Sequence, residues 1–418
     1  IIIQALKKFF YLCSHVWSWK NQQYLKNGKR LKLMNIYKKQ KNKINFGKPL
    51  IDSKEINEVN KVLKSGIYVH GPKSKEFEQS FKKYTGAKDA ITVSSCTAGM
   101  HLFYFSLNIG KGDEVIIPSQ THVATAHAVE LTGAKPIFVD SEYPTGNIDI
   151  KLIEKKITKR TKAITIVHYL GNPVNMNKLK VLAKKYKLYL LEDCALALGA
   201  TIGKKHVGLI GDAGFFSFYP VKHITTAEGG MIILNSNKYS KLLRKKKAFG
   251  YDKSLDQRTY PGLYDVDKLG FNYRMSELHA AIGIIQLKKF KNFLKKRSIN
   301  FKYLEQKLKK LKNVFVVPNL NKNMKGSFYC LSILLSKKIS SKRFEIINFL
   351  KKNNIGSSIY YPHPVPRLKF YKDKYKINKT HYVIASEFSD RIICLPIGPH
   401  VSKKNLDFIS FKINKIIT

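Results

Sequence analysis

The chain has 418 residues, of which 44% are hydrophobic and 12% aromatic, so it is long and apolar enough to form two cores, one large and one smaller. This composition excludes a disordered chain as the starting assumption. The five cysteines are odd in number and widely spaced, with no Cys-x-x-Cys pair. Neither a disulfide framework nor a zinc site is indicated, and a reducing cytoplasm is the expected location.

The formal net charge of +48 would ordinarily indicate nucleic acid or an anionic membrane surface as a partner. However, only nine of the 76 basic residues are arginine, the side chain favoured for phosphate and base recognition. The lysines are spread along the chain, as coding bias in an AT-rich genome would produce. We therefore expect no specific nucleic-acid partner, and only weak, salt-sensitive binding to polynucleotides.

The first 33 residues differ from the rest, because the chain begins with Ile1 and its first methionine is Met34. The apolar run at residues 1–10 is too short and too charged to span a bilayer, and it lacks the order of a secretory signal. An interfacial helix is one alternative. Our interpretation is upstream sequence translated ahead of a protein that starts at Met34, with residues 1–44 an extension outside the fold.

From about Ala90 onward, short apolar runs alternate with helical patterns, and residues 45–240 are predicted to form a large domain. The predicted strands are 91–93, 114–117, 136–139, 163–167, 188–191, 214–219 and 231–234. The predicted helices are 97–107, 122–131, 150–157 and 176–186. Alternating strands and helices indicate a mostly parallel sheet with helices on both faces, whose ligands bind beyond the carboxyl ends of the strands.

Residues 241–418 have a different pattern, with long lysine-rich helices. The predicted elements are helices at 276–311, 342–353 and 403–417 and strands at 329–335 and 359–361. This pattern indicates a smaller C-terminal α+β domain. No internal repeat or long Gly/Ser linker separates the two parts, so we expect them to pack closely.

Lys222 follows an apolar run that breaks at Pro220, which places one amine in a polar loop. A lysine forms a Schiff base with a carbonyl only where its surroundings lower its pKa and fix its geometry. An aldehyde cofactor such as pyridoxal phosphate also needs an acid for its ring nitrogen and a cradle for its phosphate. Lys222 is therefore the candidate cofactor-carrying residue.

Two other segments offer candidates for the acid at the ring nitrogen and for the phosphate cradle. Asp193 ends an apolar run, where a buried carboxylate needs a cation such as a pyridinium nitrogen; the alternative is a cap on the next helix. Residues 94–99, Ser-Ser-Cys-Thr-Ala-Gly, join a predicted strand to a predicted helix. N–H groups and hydroxyls at such a helix start suit a phosphate, although an ordinary N-cap is the favoured explanation of this segment when it is taken alone.

Taken in order, these segments resemble the DegT/DnrJ/EryC1/StrS family of sugar aminotransferases, which are fold-type I pyridoxal-phosphate enzymes. The resemblance runs from about Asn45 to the C terminus. The matching motifs are Gly-Lys-Pro-Leu-Ile at 47–51, Ser-Gly to Gly-Pro at 65–72, Phe-Glu at 77–78, Ser-Cys-Thr-Ala at 95–98, Gly-Asp-Glu-Val-Ile at 112–116, Gly-Ala-Lys-Pro at 133–136, Val-His at 167–168 with glycine at 171, Glu-Asp at 192–193, Gly-Asp at 211–212, the segment from Lys222 to 230, and Gly-Phe-Asn-Tyr-Arg-Met at 270–275.

The resemblance implies a fold-type I α/β architecture and pyridoxal 5'-phosphate as cofactor. It implies that Lys222 holds the cofactor as an internal aldimine and that Asp193 pairs with the ring nitrogen. His122 falls where the family places a ring stacked on the pyridine face, the alternative being an ordinary surface or core histidine. The implied phosphate-binding residues are Thr97, Ala98 and Ser217, with Asn272 reaching in from a second subunit.

The sequence departs from the family pattern at three positions. Leu196 stands where many members have a glutamine that bonds the cofactor's phenolic oxygen, so we expect that contact to be missing. Cys96 replaces a common glycine. Tyr360 stands where the family often has histidine before Tyr361, which puts the substrate contacts in doubt.

The resemblance implies an aminotransferase that moves an amino group from an amino acid, L-glutamate, to a keto-sugar nucleotide for amino-sugar or surface polysaccharide biosynthesis. A site shared between subunits requires a homodimer. One alternative is a sugar 3-dehydratase-like relative, but such proteins carry histidine at the position of Lys222. Another is a non-catalytic basic binding protein on the same fold, because a fold does not dictate a function.

Overall fold

The computed structural model describes residues 42–253, 257–321, 323–376, 378 and 381–417. Most of the predicted N-terminal extension therefore lies outside the described residues. Ile44 is buried and forms a parallel bridge with Ile355, so the chain is already part of the folded structure at this position. The predicted division into domains at residue 240 stays a prediction.

Two N-terminal helices precede the first predicted element. Helix α1 (Ser53–Ser65) begins with a capping box, in which the Asp52 side chain accepts from the backbone of the first turn and Glu55 bonds back to the Asp52 N–H. Helix α2 (Pro72–Thr85) has proline in its first turn, where no N–H is needed. Both helices pack against a later 32-residue helix, Glu277–Leu308, and their starts carry recognisable signals.

A seven-stranded sheet forms the centre of the larger part. In chain order its strands are β1 (Asp89–Val93), β2 (Glu114–Pro118), β3 (Lys135–Val139), β4 (Thr161–Val167), β5 (Tyr189–Asp193), β6 (Ala213–Ser217) and β7 (Gly230–Leu234). The spatial order is β1-β7-β6-β5-β4-β2-β3. Strand β7 is antiparallel to both neighbours, and the other contacts between strands are parallel. The mostly parallel sheet predicted from the alternation is confirmed.

Helices lie between these strands and after the last of them. They are α3 (Cys96–Ser106), α4 (Val123–Glu130), α5 (Ile150–Ile153, continued by a 3₁₀ turn at Glu154–Lys156), α6 (Met176–Lys185) and α7 (Ser240–Lys246). The sheet strands are almost fully buried, as expected of a parallel sheet covered on both faces. Three hydrophobic clusters surround the sheet, one built around Phe103 and Phe215, one around Phe81 and Phe216, and one around Ile164 and Leu190.

The long helix α8 (Glu277–Leu308) connects two cores. Its first half contributes Ala280, Ile284 and Phe290 to the core beside the sheet. Its second half contributes Phe301 and Leu308 to the C-terminal core. One helix therefore ties both cores together, consistent with the absence of a flexible linker in the sequence.

The C-terminal part is a three-stranded antiparallel sheet with helices. Its strands are β8 (Val314–Val316), β9 (Leu331–Leu335) and β10 (Ile392–Leu395), and its helices are α9 (Arg343–Lys352), α10 (Lys369–Tyr375), α11 (Val383–Arg391) and α12 (Lys403–Ile417). The predicted strand at 359–361 is wrong, because only Ser358 pairs there, in an isolated bridge with Cys394. The strand that completes this sheet is β10, which the sequence reading missed. Four two-residue strands (Thr201–Ile202, Lys205–His206, Leu320–Asn321 and Met324–Lys325) form a small separate sheet.

Among the described residues, no helix combines the length and the apolar character needed to cross a bilayer.

Candidate active site

The predicted site residues gather at one edge of the central sheet. Because β1, β2, β5 and β6 all run in the same direction, the segments that follow them emerge on the same side. Ser95 and Thr97 follow β1, His122 follows β2, Asp193 ends β5, and Ser217 and Lys222 lie at and beyond the end of β6. This is the edge at which open α/β sheets bind their ligands.

Lys222 lies in a turn in which its backbone N–H donates to the carbonyl of Tyr219 at 2.9 Å. Within the part of the chain that the structure describes, its Nζ has no hydrogen-bond or ion-pair partner, and it lies over the ring of Tyr329, with the centroid 5.8 Å away. Burial lowers the pKa of the Lys222 amine, and the nearby Cys96 and Asp193 only partly oppose that shift. A lowered pKa increases the fraction of neutral amine, which is the nucleophilic form.

Asp193 is held in place by two hydrogen bonds. Thr125 Oγ1 donates to its Oδ2 at 2.8 Å, and the backbone N–H of Ala195 donates to its Oδ1 at 3.0 Å. The residue is only 4% exposed, and no basic side chain forms an ion pair with it in the described part of the structure. A buried carboxylate without a counter-ion is costly, so the arrangement suits a cationic ligand group.

The start of α3 forms the expected cradle for an anion. Ser95 is the N-cap, and its Oγ accepts from the Ala98 N–H at 3.0 Å. Gly230 of β7 lies so close that an added Cβ would come within 2.5 Å of the Ser95 carbonyl carbon, which requires glycine there. Ser217, at the end of β6, is half-buried, and its Oγ accepts only a long bond from Tyr219 N–H at 3.4 Å. Hydroxyls and a positive helix end therefore converge here.

His122 serves as the N-cap of α4, with its Nδ1 accepting from the Ala124 N–H at 3.2 Å. Its ring meets that of Tyr361 edge to face, with the centroids 5.6 Å apart. Partial burial and then the positive charge of Lys222 lower the pKa of His122, so the ring is neutral at physiological pH. The role of this ring as a stacking group stays a prediction.

Asn272 is exposed, and the structure does not bring it to the other site residues. Its Oδ1 accepts from Arg274 Nε at 2.9 Å, and its backbone bridges to Ala248. The neighbouring Tyr273 carbonyl, however, accepts from the Ser94 N–H at 2.8 Å, so this segment runs beside the start of the anion cradle. The expected role of Asn272 toward a second subunit stays a prediction.

A second carboxylate, Glu192, faces the opposite side of β5 from Asp193, as alternation along a strand requires. Its two oxygens accept from the backbone N–H groups of Gly208, Ile210 and Gly211 at 2.7 to 2.8 Å. The ring of His168 lies 3.0 Å from the same carboxylate. Glu192 therefore anchors the loop that leads into β6.

His168, Glu192 and Cys194 also place three potential metal-ligand atoms within 4.8 Å of one another. The Val174 N–H donates to Nδ1 of His168 at 3.0 Å, so the proton lies on Nε2, which donates to Glu192. Both ring nitrogens are thus engaged and no lone pair is left for a metal. The cluster is a structural hydrogen-bond network.

Aromatic residues from the C-terminal part form one wall of the site. The hydroxyls of Tyr329 and Tyr360 are 2.5 Å apart, and Phe46 stacks on the Tyr360 ring. Tyr169 and Gln120 both donate to the Tyr360 carbonyl. This wall joins segments that are far apart in sequence.

Leu196, at the predicted glutamine position, is buried and packs in an apolar cluster with Tyr169 and Tyr361. Its carbonyl accepts from Ser327 Oγ at 2.6 Å. Its side chain has no polar atom, so the hydrogen bond that the family's glutamine makes has no counterpart in this residue. Whether the cofactor's properties change as a result stays a prediction.

Sequence reasoning missed three residues of this site, Thr125, Gln120 and Tyr329, and it singled out Tyr360 without its contact to Tyr329. A signal existed for Thr125, because it lies one helical turn from Thr121, whose hydroxyl it meets at 2.8 Å. No local signal indicated that Tyr329 would meet Lys222, since the two are separated by more than a hundred residues.

This fold and this edge of the sheet define a fold-type I aminotransferase, with a lysine, an aspartate and a helix start brought together. The family comparison agrees: a profile of the DegT/DnrJ/EryC1/StrS aminotransferase family matches residues 49–414. The chain belongs to this family and is an enzyme of the sugar aminotransferase class, as the resemblance implied.

Individual relatives match this chain along nearly its whole length. GDP-perosamine synthase of Escherichia coli O157:H7 is 35% identical, with 88% of this chain and 96% of that protein covered. The solved structure of Helicobacter pylori PseC, an aminotransferase involved in the biosynthesis of pseudoaminic acid, is 27% identical with a TM-score of 0.84, covering 90% of this chain and 99% of that chain. The PLP-form of the sugar aminotransferase Spr1654 from Streptococcus pneumoniae is 27% identical with a TM-score of 0.84, covering 90% and 100%.

Proposed function

We propose that this protein moves an amino group from L-glutamate to a keto-sugar nucleotide, using pyridoxal 5'-phosphate held by Lys222, in amino-sugar biosynthesis for surface polysaccharides. The observation that carries the proposal is the desolvated, unpaired amine of Lys222 on the same sheet edge as the unpaired carboxylate of Asp193. An amine and an acid in this relation are what a pyridoxal cofactor requires. The relatives described above support the sugar substrate.

The residues present fit this cofactor. Asp193 offers a buried, hydrogen-bonded carboxylate to a protonated ring nitrogen. The start of α3 and the hydroxyl of Ser217 offer donors to a phosphate. We propose Thr97, Ala98 and Ser217 as the phosphate-binding residues of this subunit and His122 as the ring beside the cofactor.

When bound, the cofactor supplies a ring that withdraws electrons from the carbon at which a proton is removed. Asp193 would keep the ring nitrogen of the bound cofactor protonated, and Thr125 orients Asp193 through its hydrogen bond. The free amine of Lys222 would act as general base toward the substrate carbon and then as general acid, with Nζ holding the proton in between. The aromatic wall around Tyr329 and Tyr360 restricts water near that amine.

A 3-dehydratase-like activity is disfavoured, because lysine and not histidine stands at position 222. The adjacent His223 cannot take over that role, since it is buried with its Nε2 at 3.0 Å from the Ser327 carbonyl. Burial and the charge of Arg297 keep its pKa well below the ordinary value.

The experiment that tests the proposal separates the two half-reactions. Purified protein should show a visible cofactor absorption band that bleaches with L-glutamate alone, because the first half-reaction leaves the amino group on the enzyme. Adding a keto-sugar nucleotide should restore the band and yield an amino-sugar nucleotide by mass spectrometry. A panel of nucleotide-linked keto-sugars identifies the acceptor; a protein with no cofactor band and no response to any amino donor would refute the proposal.

We further propose a cytoplasmic homodimer with shared active sites. Apolar side chains on the loop before α2 are exposed, with Ile67 at 51% and Val69 at 45%. The adjoining segment exposes Leu263 at 57% and Leu269 at 71%. His70 and Arg274 join these segments at 2.7 Å, so the exposed apolar groups lie beside the segment of Asn272. Such patches mark contact surfaces.

Subunit mixing tests whether Asn272 completes the partner's site. Asn272→Ala should weaken cofactor retention, and Lys222→Ala should reduce turnover by several powers of ten. Heterodimers of the two variants should contain one site that lacks both groups and one intact site, so activity should reappear on mixing. Mixing Lys222→Ala with itself is the control. Activity no higher than that of the parent variants, with heterodimers shown to form, would mean that Asn272 serves its own subunit or none.

A further inference from the structure

We propose that Tyr329 is a positioning residue for Lys222, whose ring face holds the amine while its hydroxyl is fixed by Tyr360. The proposal deepens the function proposed above, since it concerns the residue that would carry the cofactor. It rests on the contact of Nζ with the Tyr329 ring, at 5.8 Å from the centroid. A cation within about 6 Å of a ring face is attracted by the ring quadrupole.

An aromatic ring next to Nζ affects the Lys222 amine differently from a carboxylate. A carboxylate bonded to Nζ would strongly favour the ammonium form and would compete with the cofactor for the amine. An aromatic face attracts the ammonium more weakly and accepts no proton. Lys222 is therefore held in one place while burial keeps its pKa lowered.

Tyr329 is itself fixed from several sides. It is 3% exposed, and its carbonyl accepts from Arg297 Nη1 at 2.8 Å. Its ring lies against His223 at 5.5 Å between centroids, and its hydroxyl is 2.5 Å from that of Tyr360. A side chain constrained in this way can determine where its neighbour's amine lies.

Tyr360 in turn is anchored to the sheet. Its carbonyl accepts from Gln120 Nε2 at 3.4 Å and from the Tyr169 hydroxyl, while Gln120 Oε1 accepts from Ser389 at 2.9 Å. The C-terminal residues 329 and 360 are thereby fixed to the segments that follow β2 and β4. The position of the Lys222 amine therefore depends on how the C-terminal part packs on the sheet.

The test measures the titration midpoint of Lys222 in the full-length chain, freed of cofactor by hydroxylamine, which releases the lysine amine by forming the cofactor's oxime, and then by dialysis. Competitive acetylation with acetic anhydride across pH, quantified by peptide mass spectrometry, gives that midpoint, and the exposed Lys180 in the same samples is the internal reference. The groups that face Lys222 are Cys96, Asp193, His122 and His223, and the variants change none of them.

Tyr329→Phe keeps the ring and should leave the midpoint at the wild-type value. Tyr329→Leu removes the ring and should lower the midpoint by about half to one pH unit, because the ammonium loses the attraction of the ring face. Tyr329→Met is a second variant without a ring in case the leucine variant does not fold, as judged by circular dichroism.

An unchanged or raised midpoint in the leucine and methionine variants would overturn the proposal, as would an equal shift in Tyr329→Phe. Tyr360→Phe is the matched control: it keeps the Tyr329 ring and should shift the midpoint much less than Tyr329→Leu. The measurement needs neither cofactor nor substrate, so its failure is distinct from a failure of the aminotransferase assignment.

Discussion

Lys222→Ala is expected to reduce turnover by several powers of ten while leaving the fold intact. General acid–base transfer alone contributes about 10²–10⁴ in rate, and the covalent role of the amine adds to this. The substitution removes no hydrogen bond or ion pair of Nζ, because none is present in the described structure. Steady-state assays with L-glutamate and a keto-sugar nucleotide give the loss.

Two measurements separate chemistry from folding in this variant. Lys222→Ala should retain pyridoxal phosphate through Thr97, Ala98, Ser217 and Asp193, and a small primary amine added to the assay should restore part of the rate. The exposed Lys180 on α6 provides the control, since Lys180→Ala should turn over like the wild type. Near-normal turnover of Lys222→Ala would contradict the assignment of this lysine.

Glu192→Ala is expected to cause the largest loss of stability, about 4 kcal/mol or more, or to prevent folding. The carboxylate is fully buried and accepts from three backbone N–H groups and from His168. Removing it leaves all of these donors unsatisfied, at a cost of about 1–3 kcal/mol for each that water cannot reach. That is a large fraction of the roughly 5–15 kcal/mol by which a typical protein is stable. Denaturant unfolding measures the change.

Glu192→Gln keeps the shape of the Glu192 side chain and removes its charge, so it separates the contributions of the two. Its amide has one oxygen, so two of the four donors would face an NH₂ group, and we expect a destabilisation between those of the wild type and Glu192→Ala. Glu154→Ala is the matched control, because Glu154 is exposed and paired with Lys185 at 2.7 Å. It should leave the unfolding midpoint nearly unchanged, as exposed ion pairs contribute little. Equal effects of Glu192→Ala and Glu154→Ala would contradict the anchoring role.

The sheet could be predicted from the sequence because its strands are buried on both faces. Each of the seven strands is a short apolar run between turn residues, and each lies within a few residues of its predicted position. Helices α1 and α2 lie before the first predicted element, although Asp52 with Glu55 and Pro72 give ordinary start signals. The predicted strand at 359–361 is wrong because it rests on the strand propensity of its residues, which cannot show whether a partner strand is available.

The roles of Lys222 and Asp193 could be predicted from the sequence, because each ends or follows a strand and so must emerge at the ligand-binding edge. The residues that surround them could not be predicted in this way. Thr125 reaches Asp193 across 68 positions, and Tyr329 meets Lys222 only because the C-terminal part packs over the sheet.

The sequence by itself determined the order of elements, the sheet edge at which the site forms, and the lysine and the aspartate that give the site its chemistry. These properties depend on local patterns of apolar, turn and charged residues. The tertiary structure alone decided that the lysine amine is desolvated beside an aromatic ring and that the two carboxylates of β5 have different environments. Those properties arise from contacts between distant segments, and no local pattern specifies which distant side chain will fill the space next to a given residue.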